Sequence, residues 1–361
     1  MTTNLKNMKR PNVHFATAAL AAICTLCACD KGNGTLSSVG PEAFQTVLGD
    51  RTFLIDVRTP QEYAEGHISD AVNIDFKAGK FAERVESSVP KSVQVAVYCL
   101  TGKRSRAAAR QLVRNGYNVI DLNTGIDGWT EASKPLSKDP SDVFFTQNGT
   151  AIRLYCMGHG SVKMRIADKW IYADPVRMSG KTPADYSKQP KADVILITHE
   201  HGDHLDAAAV SQLSSEKTTV IANPNSRKQL GCGESMVPGD SRSLQGGITV
   251  TAVPAYNSSE GRQNFHPKGR DNGYLLTVDG FTIYIAGDTE DIPEMKNLPD
   301  IDIAFLPCNQ PYTMTPEQLA SAAGVIRPKV LFPYHYSNTD MTQVTTLLEG
   351  SGTDVRIRAY Q

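Results

Sequence analysis

The stretch from His199 to His204, with the sequence His-Glu-His-Gly-Asp-His, constrains this 361-residue chain more than any other feature. It follows Asp193–Thr198, a short apolar run rich in β-branched residues that is typical of a buried strand. The residues from Leu205 to Leu213 have the composition of a helix. The motif therefore lies where a strand turns into a helix, and this is the edge at which open α/β sheets place their functional groups.

Three imidazoles and a carboxylate within six residues favour a metal site over an ordinary solvated turn. His199 and His201 are two residues apart on a chain leaving a strand, so both can point the same way and share one ion. Asp203 and His204 lie across the next turn and can face a second ion. Imidazole nitrogen and carboxylate oxygen suit zinc, iron and other first-row metals.

This pattern resembles the signature of the metallo-β-lactamase superfamily, His-x-His-x-Asp-His after a buried strand. The resemblance covers the chain from Asn148 to its C-terminus and implies an αββα fold. It also implies three more ligands downstream, for which the candidates are His266, Asp288 and His335. Asp288 and His335 again follow strand-like apolar runs, so we expect them at the same edge of the fold as the first motif.

The same resemblance implies two metal ions, Zn²⁺ being the expected pair, with a hydroxide between them as the nucleophile. One ion would be held by three histidines and the other by Asp203 and two histidines, with Asp288 bridging both; the seven expected ligands are His199, His201, Asp203, His204, His266, Asp288 and His335. Asp203 is also a candidate catalytic residue, because it can orient or deprotonate the attacking water.

Within the superfamily, the segments around Tyr256, His266 and His335 are similar to the branch that contains ascorbate-6-phosphate lactonase and the phospholipase D type acting on N-acyl phosphatidylethanolamine. That similarity implies a small-molecule ester, lactone or phosphodiester as substrate. Two other residues are noted near the expected site. His159, in a turn between two strands, is either structural or a neighbour of the ligands, and Asp174 could support a ligand histidine.

The first residues of the chain resemble a bacterial lipoprotein signal peptide. A basic start precedes the small apolar run Val13–Ala28, which is short for a membrane span. The run ends in Leu-Cys-Ala-Cys, which resembles a lipobox with Cys29 as the lipid-bearing first residue. We therefore expect a signal peptide over residues 1–28, a tether over 29–35, and a protein anchored by lipid to a membrane of the bacterial cell envelope.

A second motif centres on Cys99, which follows the strand-like run Val93–Tyr98 and precedes a helix pattern from Ser105 to Asn115. A loop before a helix points backbone N–H groups inward, and the helix dipole adds positive potential. Lys103 and Arg104 add fixed positive charge. These features favour a thiolate and an anionic group above it.

The surrounding sequence, including Asp56–Arg58, Gly66–Ile68 and Gly125–Trp129, resembles a rhodanese domain. The resemblance implies an α/β domain over residues 36–135 that transfers sulfur between a donor and an acceptor. Cys99 would carry the persulfide, and Arg104 would assist it. We interpret Asp56, Arg58, Glu62 and His67 mainly as residues that brace the loop and start a helix.

The expected organisation is thus a rhodanese-like α/β domain, a linker over residues 136–147, and a metallo-β-lactamase fold over 148–361. The formal net charge of −1 gives no electrostatic reason to expect nucleic acid as a partner.

Three interpretations of function remain open from the sequence. The first is a two-metal hydrolase joined to a sulfurtransferase. The second is a persulfide dioxygenase with a single Fe²⁺ held by His199, His266 and Asp288, since such enzymes share the fold and occur fused to rhodanese domains. The third is that one domain, the rhodanese-like one first, serves only as a binding module.

Overall fold

The structure, a computed structural model, describes residues 34–138, 141–178 and 184–358. The expected signal peptide and Cys29 lie outside the described residues, as does the tether up to residue 33. Within the described ranges no helix is both long enough and apolar enough to cross a bilayer.

The first domain is built on one parallel sheet, and its fourth strand along the chain lies on the predicted strand-like run Val93–Tyr98. In sheet order β1-β5-β4-β2-β3, its strands are β1 (Leu36–Val39), β2 (Thr52–Asp56), β3 (Val72–Asn73), β4 (Gln94–Tyr98) and β5 (Val119–Leu122). The helices are α1 (Pro41–Val47), α2 (Pro60–Glu65), α3 (Phe81–Glu86), α4 (Lys103–Arg114) and α5 (Gly125–Glu131).

Strand β4 shows why an apolar run in this domain can continue without polar alternation. Val95 and Val97 face one hydrophobic core, and Ala96 and Tyr98 face another on the opposite side of the sheet. A parallel sheet covered by helices on both faces needs apolar residues at every position rather than at every second one.

The second domain contains two mixed sheets of seven strands each. The first sheet consists of β6 (Asp142–Phe145), β7 (Ala151–Gly158), β8 (Ser161–Ile166), β9 (Lys169–Ala173), β10 (Val194–Ile197), β11 (Thr219–Ala222) and β12 (Glu234–Ser235). The second consists of β13 (Ser241–Ser243), β14 (Thr249–Ala255), β15 (Asp271–Val278), β16 (Phe281–Ile285), β17 (Ile303–Pro307), β18 (Val330–Tyr334) and β19 (Asp354–Val355).

In both sheets, strands that follow one another in the chain are hydrogen-bonded neighbours. The pairs from β6 to β9 and from β13 to β16 are antiparallel, and the pairs from β9 to β12 and from β16 to β19 are parallel. Ile152 and Met164 of the first sheet share one buried core with Val250 and Ile283 of the second, so the sheets pack face to face. The helices of this domain are α6 (Ala207–Leu213), α7 (Pro224–Leu230), α8 (Pro316–Ile326) and α9 (Thr342–Leu347). The predicted αββα fold is confirmed.

The segment that we expected to be a linker contains structure. Strand β6 lies inside residues 136–147 and pairs antiparallel with β7, so it belongs to the second domain's sheet. Its Phe145 packs edge-on against Phe53 of the first domain, with ring centroids 5.7 Å apart. Phe145 therefore belongs to both domains' packing: its backbone is in one sheet and its side chain enters the other domain's core.

A buried arginine ties the two domains together beside this contact. Arg153 of β7 donates to an Asp50 carboxylate oxygen at 3.0 Å and to the Gly49 carbonyl at 2.9 Å. Its Nε lies 3.4 Å from an Asp70 carboxylate oxygen. Arg165 donates to the other oxygen of Asp50 at 2.9 Å. A sequence pattern contains no sign of these pairs, because their members are about a hundred residues apart.

We predict that the two domains unfold together and that Arg153→Ala lowers the free energy of unfolding by about 1–3 kcal/mol. The loss is limited because Asp50 and Asp70 are partly exposed, at 32% and 40%, so water can solvate them when the arginine is removed. Trp129 and Trp170 are the only tryptophans of the chain and lie in different domains. Urea titrations of Trp129→Phe and Trp170→Phe therefore report on each domain separately.

Coincident midpoints in the two tryptophan variants are expected, and Arg153→Ala should lower both. Arg110→Ala, which removes an exposed arginine of α4, is the matched control and should leave them unchanged. Two separate transitions would show that the domains are independent.

Candidate metal centre and cysteine loop

The histidine-rich motif forms a tight turn between β10 and α6. Backbone N–H groups of His204 and Leu205 both donate to the carbonyl of His201 at 2.9 Å. The helix begins at Ala207 rather than at Leu205, because the Asp206 side chain caps it by accepting from the N–H groups of Ala208 and Ala209. This turn leaves His199 and His204 fully buried.

A first cluster joins three of the expected ligands, His199, His201 and His266. Their rings lie with centroids 4.7 to 4.9 Å apart, and one nitrogen of each lies within 4.8 Å of the others. His266 comes from the loop after β14, so this cluster joins both sheets. The Nδ1 atom of His266 lies 2.9 Å from an Asp271 carboxylate oxygen, which leaves Nε2 of His266 facing the cluster.

A second cluster contains Asp203, His204 and His335, and the structure adds His159 to it. His335 Nε2 lies 3.4 Å from an Asp203 carboxylate oxygen, and His159 Nε2 lies 3.1 Å from the same oxygen. The Nδ1 atom of His204 lies 2.8 Å from an Asp174 carboxylate oxygen, which leaves Nε2 of His204 for the cluster.

Asp288 lies between the two clusters, as the resemblance implies for a bridging ligand. Its Oδ1 is 3.3 Å from His204 Nε2, and its Oδ2 is 3.3 Å from His266 Nε2 and 3.4 Å from His335 Nε2. The carboxylate is 3% exposed. Gly287 before it has φ of +66°, and a Cβ there would lie 2.8 Å from the Asn272 carbonyl oxygen. This close packing permits only glycine and brings Asp288 into the site.

The ionised Asp288 favours positive charge on the groups next to it. Burial acts to raise the pKa of Asp288, but His335 and His204 outweigh it and hold that pKa well below the usual value. Burial acts to lower the pKa of His266, yet Asp271 and Asp288 raise it to about 9. Burial, with neighbouring His204, keeps the pKa of His199 well below its ordinary value, so its imidazole is neutral.

The donor atoms fit divalent cations. Among the described residues, His199 Nε2, His204 Nε2 and Asp288 Oδ1 are buried without a hydrogen bond. The 3.3 Å approach of His204 Nε2 to Asp288 Oδ1 lacks hydrogen-bond geometry, so the two atoms face each other without bonding. Buried polar atoms without partners are rare and call for an explanation, and a bound metal is one that also suits their chemistry.

Asp174 supports the site from behind, as the sequence suggested. It accepts hydrogen bonds from the N–H and hydroxyl of Thr198 at 2.8 and 2.6 Å, in addition to its contact with His204. Sequence reasoning missed Asp271, which holds His266. An acid five residues after a candidate ligand was the available signal, although many acids have such a spacing.

Backbone hydrogen bonds from the start of α5 hold the cysteine loop. The Cys99 and Leu100 carbonyls accept from the N–H groups of Ile126 and Asp127 at 2.8 and 3.1 Å. Gly102 has φ of +85°, and a Cβ there would lie 2.1 Å from the Asn123 carbonyl oxygen, so no other residue fits. Cys99 is 1% exposed at the end of β4, just before α4.

Arg104 does not face the cysteine loop as an unpaired cation. Its guanidinium donates to both carboxylate oxygens of Glu62, at 2.6 and 2.8 Å. That hydrogen bond lowers the pKa of Glu62 to about 2. Glu62 also forms a capping box with Thr59 at the start of α2, in agreement with the interpretation that it starts a helix.

His67 and Arg58 are structural in the same way. The His67 ring stacks on Tyr63 with centroids 3.7 Å apart, and its Nδ1 lies 3.0 Å from the Tyr63 carbonyl oxygen. Arg58 pairs with buried Asp56 at 2.7 Å and donates to the Gly66 carbonyl at 2.6 Å. These contacts brace the segment that leads to the Cys99 loop.

Comparison with known proteins agrees with both parts of the fold. Residues 153–335 match the β-lactamase superfamily domain, and residues 41–132 match the rhodanese-like domain. A UPF0173 metal-dependent hydrolase from Thermococcus kodakarensis is 31% identical over 194 residues, which are 52% of this chain and 85% of that protein. A UPF0173 metal-dependent hydrolase from a Geobacillus species is 36% identical over 192 residues, or 50% of this chain and 83% of that protein.

A crystal structure of a metal-dependent hydrolase from Parabacteroides distasonis is 50% identical, with a TM-score of 0.60. The match covers 62% of this chain and all of that chain, 100%. Fold, ligand geometry and comparisons together show that the chain belongs to the β-lactamase superfamily. It is a metal-dependent hydrolase of the metallo-β-lactamase fold that carries a rhodanese-like domain at its amino-terminal side.

Proposed function

We propose that the second domain hydrolyses a small-molecule ester, lactone or phosphodiester with two Zn²⁺ ions. The observation that carries this proposal is the position of Asp288, a buried carboxylate within 3.4 Å of a histidine from each cluster. One ion would be held by His199, His201 and His266, and the other by Asp203, His204 and His335. Two such ions would lower the pKa of bound water and polarise the substrate oxygen.

Asp203 is the side chain best placed to accept a hydrogen bond from the attacking water and so to orient it. Its side chain is 48% exposed, whereas the other members of its cluster are largely buried, so water and substrate can reach it. His159 and His335 hold one carboxylate oxygen. Burial acts to raise its pKa, but these two histidines keep it well below the usual value, so Asp203 is ionised and can accept a hydrogen bond from water.

An aromatic pair beside the site is the candidate contact for the substrate. Phe265 precedes His266, and its ring packs edge-on against Tyr312 with centroids 5.1 Å apart. Tyr312 is 46% exposed, so the pair presents an apolar surface at the loop that carries a metal ligand. Asn257 ties this loop to the Tyr312 segment by donating to the Tyr312 carbonyl at 2.8 Å. A substrate with an apolar portion next to its scissile bond fits such a surface.

We predict that Asp288→Asn loses one or both metals and lowers hydrolysis by more than about 100-fold, because two nearby cations then lack the negative charge between them. His335→Ala should empty mainly the second position and leave the first partly filled. Metal content of protein purified without added metal, measured for parent and variants, checks both. Asp300→Asn, at an exposed acid, is the control.

The same measurement separates the hydrolase from the iron dioxygenase. A single Fe²⁺ held by His199, His266 and Asp288 requires neither Asp203 nor His335. In that case the parent holds one iron, and His335→Ala keeps its metal and much of its activity. The second cluster, with His335 in contact with Asp203 and Asp288, favours two ions.

We further propose that the first domain transfers sulfur through Cys99. The thiolate would take the sulfane sulfur from a donor such as thiosulfate, releasing sulfite, and the persulfide would then pass that sulfur to an acceptor such as cyanide. The buried Cys99 at the start of a glycine-containing loop supports this proposal. Arg104 pairs with Glu62, which offsets much of its positive charge, so it would assist mainly by bracing the start of α4 after the loop.

We predict that Cys99→Ser lowers thiosulfate:cyanide sulfur transfer by more than about 100-fold, because a hydroxyl cannot form a persulfide. Hydrolysis by the second domain should stay near the parent level, since serine nearly matches cysteine in shape. Cys232→Ser, at an exposed cysteine, is the matched control and should keep both activities. If the parent itself transfers no sulfur, the domain is a binding module.

We also propose that Cys29 is acylated and anchors the protein to a membrane of the bacterial cell envelope. The support is the basic start, the short apolar run and the Leu-Cys-Ala-Cys ending. Mass spectrometry of the membrane fraction should find a lipid-bearing N-terminus at Cys29, and Cys29→Ser should remove it while Cys27→Ser keeps it. An intact Met1 terminus in the parent would contradict this proposal.

A further inference from the structure

The turn between β7 and β8 lies against the second cluster of the metal centre. This turn, residues 158–161, contains His159 with φ of +47°. Ala167 and Asp279 occupy similar left-handed positions in other hairpins, with φ of 52° and 49°, so this conformation by itself indicates no function. The contacts that the turn makes are what distinguish it.

His159 contacts two members of the second cluster in three ways. Its Nε2 lies 3.1 Å from an Asp203 carboxylate oxygen. Its ring lies over the His335 ring with centroids 3.7 Å apart and planes inclined at 41°. Its carbonyl accepts a hydrogen bond from the His335 N–H at 3.0 Å, so the backbones of these two residues are also joined.

The rest of the turn contacts the third member of that cluster, His204. A Cβ on Gly160 would lie only 2.8 Å from His204 Cε1, so the backbone passes directly beside the imidazole. Ser161 donates to the Asp174 carbonyl at 2.5 Å, and Asp174 in turn holds His204 Nδ1. One short turn therefore touches Asp203 and His335 through His159, and His204 through Gly160.

We propose that His159 is a positioning residue for the second metal position, which fixes Asp203 by donating Nε2–H to one carboxylate oxygen and fixes His335 by ring and backbone contact. This inference rests on the proposed two-ion hydrolase. The Nε2 atom of His159 already contacts Asp203, so this nitrogen positions a ligand instead of binding the metal itself. Removing a group that orients metal ligands typically weakens metal binding by about 10- to 100-fold.

The test is a Zn²⁺ titration of the full chain, prepared without metal, against a chromophoric chelator. We expect His159→Ala to weaken one of two zinc equivalents by about 10- to 100-fold and to leave the other within about threefold. His159→Gln should recover most of the loss, because its side-chain amide can donate to Asp203 from nearly the same place. The double variant His159→Ala/His335→Ala should bind zinc no worse than His335→Ala, since both act on the same position.

Three further variants keep the result independent of folding. Ala167→Gly changes a left-handed position in the neighbouring hairpin and should bind both ions like the parent. Gly160→Ala should weaken the same equivalent as His159→Ala by pushing on His204. Gly324→Ala, where an added Cβ meets nothing within 4 Å, is its control. Circular dichroism of each metal-free variant checks that the fold is kept.

The outcomes separate this inference from the proposed function. A parent that binds a single ion overturns the two-ion hydrolase and this inference with it. A parent that binds two ions, with His159→Ala equal to it, overturns only the role of His159. If His159→Gln loses as much zinc affinity as His159→Ala, the imidazole is itself a ligand and the positioning role is wrong.

Discussion

A carboxylate buried among histidines is the constraint on which the second domain depends. An ionised group taken out of water costs several kcal/mol unless it is closely paired. Asp288 lies where His204, His266 and His335 converge, within 3.4 Å of one nitrogen of each. The chain must therefore bring three separate segments to one point, and each of them is held by a further contact behind it. Asp174 holds His204, Asp271 holds His266, and the His159 carbonyl holds the backbone of His335.

The two packed sheets explain how these segments can meet. The motif from His199 to His204 follows β10 of the first sheet, whereas Asp288 and His335 follow β16 and β18 of the second. When two sheets pack face to face, the ends of their strands form a shared edge. The core between them, rather than any contact within the site, sets the distance between the clusters. Packing of apolar strands thus brings buried polar groups from both sheets to one site.

The first domain is coupled to this framework through the back of the first sheet. Phe145 enters the first domain's core, and buried Arg153 pairs with Asp50 and Asp70. The cysteine loop depends on different contacts, those of α5 with its carbonyls and of Glu62 with Arg104. Each domain therefore braces its own chemistry locally, and the interface joins the domains without using either set of groups. The two proposed activities therefore need no group of the interface between the domains.

The sequence by itself determined the types of the candidate ligands, the cysteine loop and the strand-to-helix turns that carry them. These follow from local rules, because apolar runs form strands and short spacings between ligands fix which way they can point. The sequence also indicated Asp174 and left His159 undecided. Only the tertiary structure decided that Glu62 pairs with Arg104, that β6 lies inside the expected linker, and that Arg153 joins the domains. Such contacts link residues far apart in the chain, and their partners are chosen by how sheets and helices pack, which no local pattern records.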